Sequence, residues 1–180
     1  MVTKLEQLKE WAKQNVTLID LLPNNNGLQV TTRLIDVLED KVDEKYYLSD
    51  EKVKKLTLDF SLTSQDKHGV AVREATKQGY TLAEQGDSVN VSYPSSKTRR
   101  GRVGKQVAQT LQAGEVNQGV VMNDIRIRKL VPIETWRLQG FTDEQFYKAK
   151  DSGVSNSQLY KQSGNSVTVN VVDAIVKELD

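Results

Sequence analysis

Cysteine is absent from the 180 residues. Within this sequence that excludes disulfides, thiolate-ligated zinc and a cysteine nucleophile. Histidine occurs once, at His68. A Ser-His-Asp triad has only that residue to use, and a multi-histidine metal site cannot be built. Glycine-rich phosphate loops of the GxxxxGKS/T or GxGxxG form are missing. So is any apolar run of about 18 residues, which leaves no candidate membrane span. The N-terminal stretch MVTKLEQLKEWAK has no apolar signal-peptide core, so nothing suggests export and a cytoplasmic location is expected. An excess of one charge is lacking too. Lys and Arg total 25 against 24 Asp and Glu, a net charge of +1, so only a local cluster can argue for nucleic acid. With 37% hydrophobic and 27% charged residues, the chain can still bury a core.

The spacing predicts a helix over residues 2–14, where Leu5, Leu8 and Trp11 recur on an otherwise charged face. A short apolar run, 16–22, ends at Pro23 and the turn signal Asn24-Asn25-Asn26-Gly27. The segment LIDLL at 18–22 returns as LIDVL at 34–38. A single echo does not make a solenoid, and two short amphipathic turns on one core is the plainer reading. Ser49 is an N-cap candidate for a helix that reaches about Leu56, with Asp50 and Glu51 in its first turn. Residues 57–127 read as β-rich. Val89, Val91 and Tyr93 alternate as on a half-buried strand. Residues 120–127 predict a hairpin around a two-residue turn, Asn123-Asp124. Helices return after residue 128. Pro132 suits a first helical position and Gly140 a stop. Residues 142–145 and 155–158 are capping boxes, and a final helix carries Val167, Val171, Ile175 and Leu179 on one face. The whole reads as one α+β unit, in three segments: 1–56, 57–127 and 128–180.

Three stretches could carry chemistry. Residues 96–105, SKTRRGRVGK, hold Lys97, Arg99, Arg100, Arg102 and Lys105 with no acidic residue. Two glycines and the nearby Pro94 mark a loop. Basic side chains on such a loop can follow a phosphate backbone, and Arg can fork onto guanine. The plainer alternative is a solvated basic loop. Residues 126–141 read as a strand feeding a short helix, with Trp136 and Phe141 in the core and Glu134 able to pair with Arg137. In residues 162–167, QSGNSV, the reading is a helix stop, a glycine turn and a helix start at Asn165 and Ser166. Free N–H groups there would suit a carboxylate or hydroxyl, though a plain cap explains them as well.

The second and third stretches together resemble the DNA (cytosine-5)-methyltransferases of bacteria and phages. Arg128-Lys129-Leu130 through Glu134 and Arg137 to Phe141 resemble that family's ninth motif. Residues 155–172, SNSQLYKQSGNSVTVNVV, resemble its tenth. The basic loop followed by Thr110-Leu111 is similar to the family's target-recognition region, and residues 32–56 to the segment leading into it. The resemblance covers roughly residues 30–180. It implies contact with double-stranded DNA through Lys97, Arg99, Arg100, Arg102, Lys105, Thr110 and Leu111. It also implies that Asn165 and Ser166 meet S-adenosylmethionine, with no metal. Two departures stand out: Val131 replaces the Thr that usually caps the ninth-motif helix, and Ile133 stands where Arg is common.

The family's glycine-rich cofactor loop, Pro-Cys catalytic loop, Glu-Asn-Val motif and QxRxR motif are not found here. Family chemistry is thiolate attack on C6 of a flipped cytosine, which a sequence without cysteine cannot perform. The resemblance therefore implies a β-rich recognition domain flanked by helices. Its C-terminal helices would pack on a missing Rossmann-like catalytic domain carrying motifs one to eight. Such a part could be the small subunit of a split enzyme of a restriction-modification type, with Met1 near the break, and inactive alone. The alternative is a stand-alone DNA-binding module or a gene remnant. Without the catalytic domain, apolar residues of the first and last helices should be exposed.

Overall fold

The computed structural model describes residues 3–15, 32–58, 69–114, 116–124 and 126–177. The 16–22 run with the first copy of the echo, His68 and Leu179 lie outside the described residues. The described helices are α1 (Lys4–Asn15), α2 (Asp50–Leu56), α3 (Pro132–Leu138), α4 (Asp143–Asp151), α5 (Asn156–Asn165) and α6 (Val169–Lys177). The strands are β1 (Gly69–Arg73), β2 (Tyr80–Glu84), β3 (Ser88–Asn90), β4 (Val103–Gly104), β5 (Gln118–Val121) and β6 (Ile127–Lys129). This is the α+β class expected.

β1 and β2 form an antiparallel ribbon that pairs Gly69 with Glu84 and Arg73 with Tyr80. The other sheet is antiparallel in the order β4-β3-β5-β6. Helix α2 links the two. Before it, Leu48 N–H donates to the Ile127 carbonyl on the edge strand β6; after it, Leu58 N–H donates to the Ala71 carbonyl on β1. Both ends of α2 are thus tied to sheet edges by backbone bonds, which fixes its lysines relative to both sheets.

Three apolar groups make the core. Val70, Val72 and Ala83 of the ribbon meet Val89, Val121 and Ile127 of the sheet. Val120 and Leu130 meet Leu34 and Val37 of a 3-10 turn, which is the second copy of the echo. Val131, Ile133 and Trp136 meet Phe146 and Leu159 across α3, α4 and α5. Trp136 is a core residue, as expected, and Phe141 is half-buried against it. Their ring centroids lie 5.1 Å apart, and the Trp136 indole N–H donates to the Leu159 carbonyl at 3.0 Å.

Local punctuation follows the sequence where its partners are three or four residues away. Pro132 opens α3, Gly140 takes φ +84 just past its end, and Thr142 accepts the Gln145 N–H as Gln145 reaches back to Thr142 N–H. Ser155 receives the Gln158 N–H, so only half of the second box forms. Helix α2 starts after Ser49, whose side chain makes no capping bond.

Four expectations are corrected. β3 ends at Asn90 rather than continuing to Tyr93, because the Asn90 side chain accepts the Ser92 N–H and turns the chain. Its residues are all buried instead of alternating: Val89 packs in the apolar core, while Ser88 is held by the Gly104 carbonyl and Asn90 lies against the buried Arg102 guanidinium. The hairpin forms, but Val121 pairs with Ile127 and Met122 N–H donates to the Arg126 carbonyl, so its connection exceeds two residues. Glu134 does not pair with Arg137; its partner is Arg128, while Arg137 binds Glu39 and Asp143. Finally, no helix starts at Asn165. α5 runs through Gly164 to Asn165, and α6 begins only at Val169.

Candidate nucleic-acid interface

The basic loop is built around the one basic side chain in it that solvent does not reach. Arg102 follows β3 across the β3–β4 pairing, and its side chain turns inward with no exposed surface. Nη1 donates to the carbonyls of Asn90 and Ser92, both at 3.0 Å, and Nη2 to that of Tyr93 at 2.8 Å. Burial and the nearby charge of Arg99 push its pKa down, while Glu74 opposes them. The Glu74 carboxylate in turn accepts the Arg102 and Val103 backbone N–H groups at 2.6 and 3.1 Å. Arg102, expected at a phosphate, is here buried and turned inward, where its charge closes the loop from inside.

What the clamp presents is outside. Lys97 and Arg100 are exposed, and Arg99 lies over the Tyr93 ring at 5.6 Å. Tyr93 itself is 75% exposed at φ +49, a left-handed conformation that a bulky residue holds only where its surroundings impose it. Lys105 is tethered, donating to the Leu82 carbonyl and to Asp87 at 2.8 and 2.7 Å. Burial pushes the Asp87 carboxyl up, but the N–H of Glu84 with Lys105 and Gln106 outweighs it and leaves the pKa below the ordinary value.

Thr110 is exposed and Leu111 half-buried. They are brought to the basic loop by two glutamines. Gln109 donates from Nε2 to the carbonyls of Gly101 and Arg102, and buried Gln118 exchanges hydrogen bonds with the Gln109 backbone. The sequence offered no sign of this staple, because a glutamine looks alike in either role.

Below the loop, Arg128 and Glu134 are both fully buried. The guanidinium forks onto the carboxylate at 2.9 and 2.7 Å. Glu134 also accepts the N–H of Val131 and of Glu39, at 2.7 and 2.8 Å. Val131 gives no side-chain cap to α3, so Glu134 alone performs the reach-back half of a capping box there.

Asn165 closes α5 and is exposed, while Ser166 Oγ donates to the Val167 carbonyl. Ser166 N–H points back to Ser163. The cause is Gly164: a side chain there would run into the backbone of Gln112 and Ala113, so the glycine serves close packing inside a helix rather than a turn. Among the described residues no cluster of His, Cys, Asp or Glu could hold a metal.

The family model for C-5 cytosine-specific DNA methylase matches residues 3–180. The chain belongs to that family. The match extends the resemblance, seen over roughly residues 30–180, back across α1. An orphan methyltransferase of Bacillus phage SPbeta is 36% identical over 188 residues, covering 83% of this chain and 42% of the relative. The orphan methyltransferase of Bacillus phage SPR is 31% identical over 217 residues, 83% of this chain and 49% of its own length. A type II methyltransferase of Shigella sonnei is 30% identical over 152 residues, 84% and 33% respectively. The chain spans less than half the length of these relatives.

Methylases of this family imply S-adenosylmethionine, and the tenth-motif residues were expected to meet its carboxylate with free helix N–H groups. They do not fit that role, because Asn165 and Ser166 stand at a helix end, where carbonyls rather than N–H groups are unpaired. Only their side chains remain to offer.

Proposed function

We propose that this chain is the DNA target-recognition and C-terminal part of a cytosine-5 methyltransferase. It acts with a catalytic part that supplies the thiol and the S-adenosylmethionine loop, and it is inactive without that part. The observation that carries this reading is the basic loop. A buried arginine clamps it from inside while Lys97, Arg99 and Arg100 face solvent, within a chain of the methylase family. Rigid presentation of cations beside Thr110 and Leu111 suits a duplex, where phosphate contacts set position and base contacts set sequence. Lys105 stands half-exposed at the loop's end and adds charge there.

The catalytic part has two apolar faces to cover. Leu5, Leu8 and Trp11 on α1 are exposed, as are Val171, Val172 and Val176 on α6. Such faces mark surfaces that bury against something else. In this reading Asn165 and Ser166 lend side chains to a cofactor pocket that the catalytic part completes.

The test is methyl transfer from labelled S-adenosylmethionine to duplex DNA. The chain alone should transfer none, and addition of a family catalytic part with motifs one to eight should give activity. Turnover by the pure chain alone would overturn the proposal. In the complex, Asn165→Ala should weaken cofactor affinity and leave the choice of DNA sequence unchanged.

A further inference from the structure

Beside the basic loop lies a cleft of about 490 Å³ between α2, β1 and the Pro94–Lys97 side of the loop. It is lined by Lys54 and Lys55 of α2, Arg73 of β1 and Lys97, against a single carboxylate, Glu74. These residues are far apart in sequence. Only the tethering of α2 to the β1 edge and the closure of the loop by Arg102 bring them together.

Among the described residues, three of the four cations have no acidic partner. Among the described residues Lys54 and Lys97 have no acidic partner, and Lys55 alone reaches one, the exposed Glu51 of its own helix. Arg73 donates from Nε to the Thr57 carbonyl at 2.7 Å, which holds the guanidinium plane and leaves its two terminal nitrogens. Glu74 sets a single negative charge against the four positive ones. Both of its oxygens accept from the protein, Oε1 from the backbone of Arg102 and Val103 and Oε2 from the Thr81 hydroxyl. It organises the wall. A cleft with cations on three sides and a fixed guanidinium focuses positive potential onto one kind of group, a phosphate.

We propose that this cleft is a phosphodiester-binding site that holds the backbone of duplex DNA alongside the basic loop. It rests on the reading that the chain binds DNA, and it extends the footprint to α2 and β1. The backbone track has room to continue. Across Pro94, a second cleft of about 480 Å³ carries Lys52 and Lys129, so lysines of α2 serve both sides of the Tyr93–Pro94 crest.

The experiment is duplex binding by the full chain, read by fluorescence anisotropy over a salt series. It compares the unaltered chain, Lys54→Ala/Lys97→Ala and Arg99→Ala/Arg100→Ala. The first pair should lower the slope of log affinity against log salt by about 0.9 for each phosphate that is no longer neutralised. Its thermal midpoint should not move, since neither lysine has a partner among the described residues. An unchanged slope in that pair, with a lowered slope in the arginine pair, overturns the cleft and leaves the DNA reading standing. No binding by the unaltered chain at low salt overturns both. Lysine acetylation read by mass spectrometry gives a measurement without substitution. Duplex should protect Lys54 and Lys97 and leave Lys148 of α4 reactive, whereas protection by inorganic phosphate but not by duplex overturns the assignment to DNA.

Discussion

Replacing Glu134 with Ala removes what is, among the described residues, the only acidic partner of a guanidinium that has no exposed surface. Arg128 would be left buried and charged with only the Lys129 and Glu39 carbonyls to accept from it, and the N–H groups of Val131 and Glu39 would lose their carboxylate acceptor. Removing one member of a buried pair costs about 3–5 kcal/mol, chiefly because the remaining charge is uncompensated. A domain's whole stability is about 5–15 kcal/mol, so this variant should be near its limit. Urea unfolding followed by circular dichroism is the assay. With a denaturant slope of about 1–3 kcal/mol per molar, the midpoint should fall by at least about 1 M. Glu51→Ala breaks the exposed, solvent-screened α2 pair and should leave the midpoint nearly where it was. Arg128→Met/Glu134→Leu removes both charges and should recover much of the deficit. A Glu134→Ala variant destabilised by less than about 1 kcal/mol would refute the reasoning.

Three further outcomes are expected. Arg102→Met deletes three hydrogen bonds from a charged donor, each worth about 1.5–3 kcal/mol, so trypsin should cut faster after Arg99 and Arg100; equal rates would count against the clamp. Gly164→Ala should cost about 1–3 kcal/mol by overpacking against Gln112 and Ala113, with Gly114→Ala, which meets nothing within 4 Å, as the near-neutral control in the same thermal melt. Asp87 has a folded pKa below its unfolded value of about 3.9. Its stabilisation is therefore present above about pH 4 and fades as pH falls through the folded value. Asp87→Asn should be less stable at neutral pH and show a flatter acid limb in a stability–pH series; a limb as steep as that of the unaltered chain would sink this account.

Legible without any fold were the α+β class, the helices around Ser49, Pro132 and Thr142, the hairpin near Asn123, the core placement of Trp136 and the family. Each of these depends on residues a few positions apart, or on motifs that persist as strings. A cap needs an acceptor three residues from a free N–H, and a stop needs a glycine at positive φ, so Thr142 and Gly140 announce themselves. The roles of the charged residues came from packing alone. Arg99, Arg100 and Arg102 are alike as letters, yet one is buried because the carbonyls of Asn90, Ser92 and Tyr93 converge where β3 ends. Glu134 sits three residues from Arg137 but binds Arg128, because β6 delivers that guanidinium into a space that solvent does not reach. Gly164 reads as a turn until the backbone at Gln112 is laid against it. The cleft of Lys54, Arg73 and Lys97 has no local signature at all. Partners and burial are set by which distant segment arrives at a residue, and that is a property of the packed chain, not of its neighbours in sequence.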